Sequence, residues 1–312
     1  MRGEWIVRGK NFKFQISNLK FKYYSMSLKE YLKKAQQEKF AIGQFNISNL
    51  ETLRAIIQAT QNLKSPVIIG TSEGESKFIG LKQVVALVKS FGEEINSPVF
   101  LNLDHGKSFD YIKEAIEIGY DAVHFDGSSL SLKENIEITN KLIGEAKKKG
   151  VLVEGEVGRI SGISEIHKEK IEIKEGDLTD PGEALKFIKE TGVDSLAISI
   201  GTFHGVEASG KNSHINLQRL EEIKEKVSDG VFLVLHGGSG TPEEDIKSSI
   251  KLGIVKININ TELRLAYTNT LKSILEENPE ETTPYKYMPK VIMAVQKIVE
   301  EKIKLFGSSG KI

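Results

Sequence analysis

Cysteine is absent from the 312 residues. That excludes a disulfide framework and thiolate ligands, so any metal must rest on histidine, aspartate or glutamate. A reduced, cytoplasmic setting is compatible with this composition. An excess of one charge is also missing, because Lys plus Arg and Asp plus Glu both number 43. No net field then favours nucleic acid, and any anion site has to be local. No apolar run approaches the roughly 18 residues that a membrane span requires. The first 25 residues lack the apolar centre of an export signal and carry Arg2, Arg8, Lys10, Lys13, Lys20 and Lys22 among aromatics. We read them as an extension, either an appendage or the product of an upstream start codon. Internal repeats and low-complexity tracts are absent too.

What the chain does contain is a regular alternation of short apolar runs with longer amphipathic ones. The apolar runs are Phe40 to Phe45, Pro66 to Thr71, Pro98 to Leu103, Ala122 to Phe125, Val151 to Val157, Ser195 to Ile200, Val231 to Leu235 and Ile254 to Ile259. Between them lie stretches with helical spacing such as Leu50 to Leu63, Leu132 to Lys149 and Pro181 to Thr191. Several have cap residues in place: Ser27 with Glu30, Ser108, Ser131, Asp180 before Pro181, and Thr241 before Pro242. Eight strands alternating with helices predict an α/β protein, a closed (β/α)8 TIM barrel formed as one domain by residues 26–312. A C-terminal helical arm follows, as Leu263 to Glu277, a link, and a last helix from near Pro289 to Lys304.

Such barrels place their chemistry at the C-terminal ends of the strands. Here those ends are polar. Three of the six histidines, His105, His204 and His236, stand just past a strand and just before a glycine. Three neutral imidazoles converging on one rim form a ligand set for Zn²⁺ or a similar ion, with a further position left for substrate or water. Asp126 and Glu156 add hard oxygen donors, and strand alternation puts Glu154 and Glu156 on one face. Two inward carboxylates repel unless a cation or proton lies between them. Gly237-Gly238-Ser239-Gly240 lets backbone N–H groups approach an anion, and Asn258 to Thr261 on the last strand can complete a phosphate cradle. Asp104 and His105 are neighbours, so alternation predicts that they point to opposite faces. His124 shares the face of Asp126 and reads as a core histidine bonded inside the barrel.

Six ordered motifs carry a resemblance: Leu-Asp-His-Gly at 103–106, Phe-Asp-Gly-Ser at 125–128, Glu-Gly-Glu-Val-Gly at 154–158, Ile-Gly-Thr-Phe-His-Gly at 200–205, His-Gly-Gly-Ser-Gly at 236–240 and Lys-Ile-Asn-Ile-Asn-Thr-Glu at 256–262. Together, from about Ser27 to the C-terminus, they resemble the class II, metal-dependent fructose-bisphosphate aldolases, including the tagatose-bisphosphate branch. The resemblance implies that His105, His204 and His236 hold a catalytic Zn²⁺ and that Asp126 and Glu156 match a second divalent-metal position. It implies that Gly205, Gly237, Gly238, Ser239, Asn258, Ile259, Asn260 and Thr261 bind dihydroxyacetone phosphate. Asp104 would carry the proton of the aldehyde oxygen. The implied protein is a homodimer or homotetramer acting on a small sugar phosphate, fructose 1,6-bisphosphate with tagatose 1,6-bisphosphate or another phosphoketose as the alternative. From other classes, a zinc hydrolase or a non-catalytic sugar-phosphate-binding barrel would use some of the same residues.

The chain departs from the family pattern in three places. Ser164 occupies the position of a loop glutamate that shuttles the dihydroxyacetone phosphate proton, which leaves Glu165 as the expected replacement. Gly205-Val206-Glu207-Ala208 lacks the lysine that many relatives have three residues past the glycine. Thr283-Pro284-Tyr285-Lys286-Tyr287 replaces an Asp-Pro-Arg segment, with Lys286 as a point charge for the distal phosphate.

Overall fold

The computed structural model describes residues 4–7, 10–13, 26–95 and 97–312. Eight parallel strands close into a barrel in simple chain order. They are β1 (Ile42–Asn46), β2 (Val67–Ser72), β3 (Val99–Gly106), β4 (Ala122–Phe125), β5 (Leu152–Val157), β6 (Ser195–Ile198), β7 (Phe232–Leu235) and β8 (Ile254–Ile259). β8 pairs with β1 to close it, Lys256 opposite Ile42 and Ile259 opposite Phe45. All eight predicted strands form, and the TIM barrel with C-terminal helices is the observed fold. Near the N-terminus, Glu4–Val7 pairs antiparallel with Lys10–Lys13. The expectation that residues 1–25 are an extension otherwise lies outside the described residues.

Local chemistry sets the helix starts. Ser27 and Glu30 form the predicted capping box on the helix Leu28–Glu38, and Ser108, Ser131 and Asp180 cap the helices that follow them. A cap of this kind contributes roughly 1 kcal/mol. Thr241 is a correction. The helix Glu243–Lys251 has no side-chain cap, because the Thr241 hydroxyl donates to Gly237 O at 3.0 Å and so braces the glycine-rich turn.

The helix Leu28–Glu38 closes the N-terminal end of the barrel. Its buried Leu28, Tyr31, Leu32 and Ala35 pack on Phe40, Ile42, Ile68, Phe100 and Val255. The opposite, C-terminal end therefore remains as the open face. Of the arm, Thr261–Glu277 forms as predicted, but the last helix, Pro284–Leu305, begins five residues earlier than expected and runs through Pro289. Pro284 at its first turn is a better start than Pro289, since an N1 proline gives up no helical bond. Val291, Val295, Val299 and Ile303 form its buried stripe. No helix among the described residues is long and apolar enough to cross a membrane.

A small parallel sheet was not foreseen. Gly162–His167 pairs with His204–Glu207 above the barrel mouth. This flap brings a loop after β5 against a loop after β6.

Candidate metal and substrate site

The strand ends converge on an open cavity of roughly 330 Å³. Asp104, His105, His204 and His236 line it, and so do Gly205, Gly237, Ser239, Asn258, Asn260 and Thr261 from the expected substrate set. Gly238 and Ile259 do not reach it. Ile259 is fully buried, and Gly238 packs beneath the turn, where an added Cβ would meet Ile257 Cγ2 at 2.7 Å.

Asp104 and His105 both face this cavity, which overturns the expectation from alternation. His105 has φ of 49°, a left-handed conformation, and the β3–β4 register shifts between Leu103 and Gly106. The irregularity turns His105 inward beside its neighbour. For a residue other than glycine this costs about 1–2 kcal/mol, and such strain is typical of residues held for function.

Hydrogen bonds determine which imidazole nitrogens point inward. His236 Nε2 lies 2.9 Å from Glu154 Oε1. Glu154 Oε2 is held by Lys256 Nζ at 2.5 Å, an ion pair buried in the barrel lumen. Burial alone would raise the Glu154 carboxyl, but Lys256 and then His236 outweigh it and hold the group far below the usual range. Glu154 is then a pure acceptor, so His236 Nε2 donates and Nδ1 keeps its lone pair. That Nδ1 faces His105 Nε2 at 2.9 Å. His105 Nδ1 in turn lies 3.4 Å from Asp126 Oδ2 and 3.9 Å from Glu156 Oε2, so it donates to carboxylate and turns Nε2 to His236. Burial lowers the His105 pKa, but Asp104 and Asp126 outweigh it and raise it.

Two ring nitrogens this close require a proton or a cation between them. Buried Asn258 Oδ1 has no hydrogen-bond partner among the described residues, Glu156 Oε2 has only the His124 ring 3.2 Å away, and a buried acceptor without a donor costs free energy that a cation removes. Possible ligand atoms of Asp104, His105, His124 and His236 lie within 4.8 Å of one another, as do those of His105, Asp126 and Glu156. The residues thus fit a divalent cation, with His105 shared between two groups. The His204 ring stands 4.6 Å from that of His105. Burial, then His105 and His236, push its pKa well below the ordinary value, which keeps its lone pair free at neutral pH.

Asp104 is held by two amides. Asn46 Nδ2 donates to Oδ2 at 2.9 Å and Asn258 Nδ2 to Oδ1 at 3.0 Å. Burial favours the neutral acid here, yet the neighbouring imidazoles, His105 foremost, hold it well below the usual carboxylate range. His124 is a core histidine, fully buried, its Nδ1 accepting from His105 N at 3.2 Å.

The structure does not bring Glu165 to the cavity. Ser164 lines it, and the alternation of the flap strand turns the next residue, Glu165, outward and exposed. Lys286 is likewise absent from the lining, paired instead with Glu281 at 3.1 Å.

Some site residues carried little signal in the sequence. Asn212 is buried in a loop, and its Nδ2 donates to the carbonyls of Phe203, Gly205, Gly237 and Ser239, which joins the His204 loop to the glycine-rich turn. His167 Nε2 lies 2.7 Å from His204 O and 3.0 Å from Ile163 O, pinning the flap. Glu75 and Arg264 pair at the rim at 2.6 Å. Only a polar residue beyond a strand hinted at any of them.

A cluster that could hold a metal ion stands beside a glycine-rich turn at the C-terminal mouth of an eight-stranded barrel, the arrangement of the metal-dependent barrel enzymes. Residues 26–311 match the model of the family described as fructose-bisphosphate aldolase class-II. The chain belongs to that family. Its fold is similar to the YdjI aldolase from Escherichia coli K12, with 32% identity, a TM-score of 0.76 and coverage of 92% of this chain and 98% of that one. A candidate fructose-1,6-biphosphate aldolase from Coccidioides immitis matches at 29% identity and TM-score 0.79, covering 92% and 98%. The fold also matches a fructose-bisphosphate aldolase from Campylobacter jejuni at 22% identity and TM-score 0.78, covering 92% and 96%.

Proposed function

We propose that this protein is a zinc-dependent aldehyde-lyase that reversibly cleaves fructose 1,6-bisphosphate into dihydroxyacetone phosphate and glyceraldehyde 3-phosphate. The observation that carries this reading is the 2.9 Å approach of His105 Nε2 and His236 Nδ1, which a proton or a cation has to bridge, next to the buried Asp104 carboxylate. His105, His204 and His236 would hold the zinc, and Asp126 and Glu156 would serve a second divalent position. When bound, the metal supplies Lewis-acid stabilisation of the negative charge that develops on the ketose oxygens as the C–C bond breaks.

The rest falls to the chain's own residues. Asp104 is the only carboxylate among the cavity-lining residues, and it takes the C4 hydroxyl proton in cleavage and returns it in condensation. Asn46 and Asn258 keep its oxygens aimed. The phosphate of the dihydroxyacetone half docks on Gly205, the Gly237–Ser239 turn and the segment Asn258 to Thr261. There the N-terminus of the helix Thr261–Glu277 adds positive dipole character. Gly238 and Ile259 shape the turn from below. We propose a cytoplasmic homo-oligomer, supported by the family and by exposed Leu275, Tyr285 and Met293 on the C-terminal helices.

The test is Asp104→Ala, with bound metal counted by mass spectrometry and turnover measured as triose phosphate release. The expected outcome is near-normal zinc content with at least a ~100-fold loss of turnover, within the ~10²–10⁴-fold range of general acid–base catalysis. Near wild-type cleavage would remove Asp104 from the mechanism. His105→Ala and His236→Ala should lose the metal itself.

A further inference from the structure

One buried carboxylate at the rim takes no part in this chemistry. Glu75 lies in the short helix Glu73–Ile79 directly after β2, is 6% exposed and does not line the cavity. Its two oxygens are divided between two sets of donors. Oε2 accepts from Ser72 N at 2.8 Å, closing a capping box, and from Asn46 Nδ2 at 3.0 Å. Oε1 accepts from Arg264 Nη2 at 2.6 Å and Asn260 Nδ2 at 3.3 Å. A capping box alone needs neither the burial nor these extra donors.

Asn46 Nδ2 also donates to Asp104, while Asn46 Oδ1 accepts from Gln44 Nε2 at 3.2 Å. The amide therefore bridges two carboxylates and has one satisfied orientation. Carboxylates placed so close repel without a cation, and Arg264 supplies one on the Glu75 side. The other end of the guanidinium reaches the flap, where Nη1 donates to Ser164 O at 3.1 Å. The flap strand in turn pairs with the strand that begins at His204.

We infer that Glu75 is a positioning residue, which together with Arg264 and Asn46 ties the flap strand over the cavity and fixes the orientation of Asp104. Arg264 rises from the helix Thr261–Glu277, so its guanidinium anchors the flap to Glu75 through Ser164 O, while Glu75 keeps the Asn46 amide turned to Asp104. Only the kinetic arm of the test depends on the aldolase reading.

Glu75→Gln keeps the shape and loses the charge, and Arg264→Met cuts the tether from the exposed side while leaving Glu75 its Ser72, Asn46 and Asn260 donors. Both are compared in the metal-loaded, full-length protein with the exposed control Glu244→Gln. Hydrogen–deuterium exchange of the backbone amides at 162–167 and 204–207 is the first readout. Both variants should exchange there about tenfold faster, with the barrel strands unchanged. In the triose phosphate assay kcat should fall about 10- to 100-fold while KM moves less than about threefold, since misplacing a reacting group by ~1 Å costs about that much. Adding Asn46→Ala to Glu75→Gln should cost no more than Asn46→Ala alone, the mark of residues that act as a unit.

Wild-type flap exchange in both variants overturns the tether, whatever the activity. Faster exchange through the whole barrel, with lost metal, reduces Glu75 to a structural residue and also overturns it. Loosening confined to the flap, in a protein whose wild type releases no triose phosphate from any ketose phosphate, sustains the tether and defeats the aldolase reading instead.

Discussion

Removing Lys256 is the sharpest perturbation of the barrel interior. Its ammonium meets Glu154 Oε2 at 2.5 Å with both side chains 4% exposed, and Glu154 in turn holds His236. Lys256→Met fills similar volume but leaves a buried carboxylate without its cation. Breaking a buried pair from one side costs about 3–5 kcal/mol. With roughly 2–4 °C per kcal/mol in a protein of this order of size, that predicts a fall in Tm of about 6–20 °C. The double variant Lys256→Met/Glu154→Gln removes both charges and should recover at least half of the loss. Urea unfolding at equal protein concentration, with chelator present throughout, measures it free of metal linkage. The pH dependence has a definite sign. The folded Glu154 pKa is depressed from an ordinary value of 4.5, so the pair stabilises fully above that value and fades only as pH falls below it. In Lys256→Met burial is no longer outweighed and raises Glu154, so the variant takes up a proton as pH falls and the gap from wild type should narrow between pH 8 and pH 5.5. A loss below about 1 kcal/mol, or a double variant worse than the sum of its parts, would refute the reasoning, since independent sites simply add.

Other outcomes follow from single contacts. Gly237→Ala places a Cβ 2.4 Å from Phe203 O at a φ of 66°. It should cost at least the ~1–2 kcal/mol of a left-handed residue in a melt and raise KM for the ketose bisphosphate. Tyr120→Phe removes the buried 2.9 Å bond to Thr71 Oγ1, a loss of about 1–3 kcal/mol by denaturation with kcat unchanged. Glu165→Gln, on the outward face of the flap strand, should leave solvent exchange of the dihydroxyacetone phosphate C–H at the wild-type rate. A drop of tenfold or more would show that the flap swings that carboxylate inward.

The barrel was legible because each strand is an apolar run closed by a polar residue, and several helices open on a serine, an aspartate or a proline. His105, His204 and His236 were legible for the same reason, since the end of a barrel strand is a position with known meaning. What escaped depends on contacts between distant segments. The inward turn of His105 follows from a register shift against β4, whereas alternation along β3 predicts the opposite. The flap strand Gly162–His167 is largely exposed and has no apolar run to announce it, so the parity that chooses Ser164 over Glu165 was hidden. Glu75 carried no signal of its own in the sequence, and only the fold brings Arg264 and Asn46 to it from 189 and 29 residues away. Lys256 sat inside a recognised motif, but its partner lies across the barrel lumen.

Triose phosphate release from ketose bisphosphates, measured in a coupled assay with and without chelator, tests the central claim most directly. Metal-loaded enzyme should cleave fructose 1,6-bisphosphate, with tagatose 1,6-bisphosphate run beside it. Chelation should abolish the activity and zinc should restore it. Release that persists after the metal has been stripped, or no release from any ketose phosphate by the fully loaded protein, would contradict it.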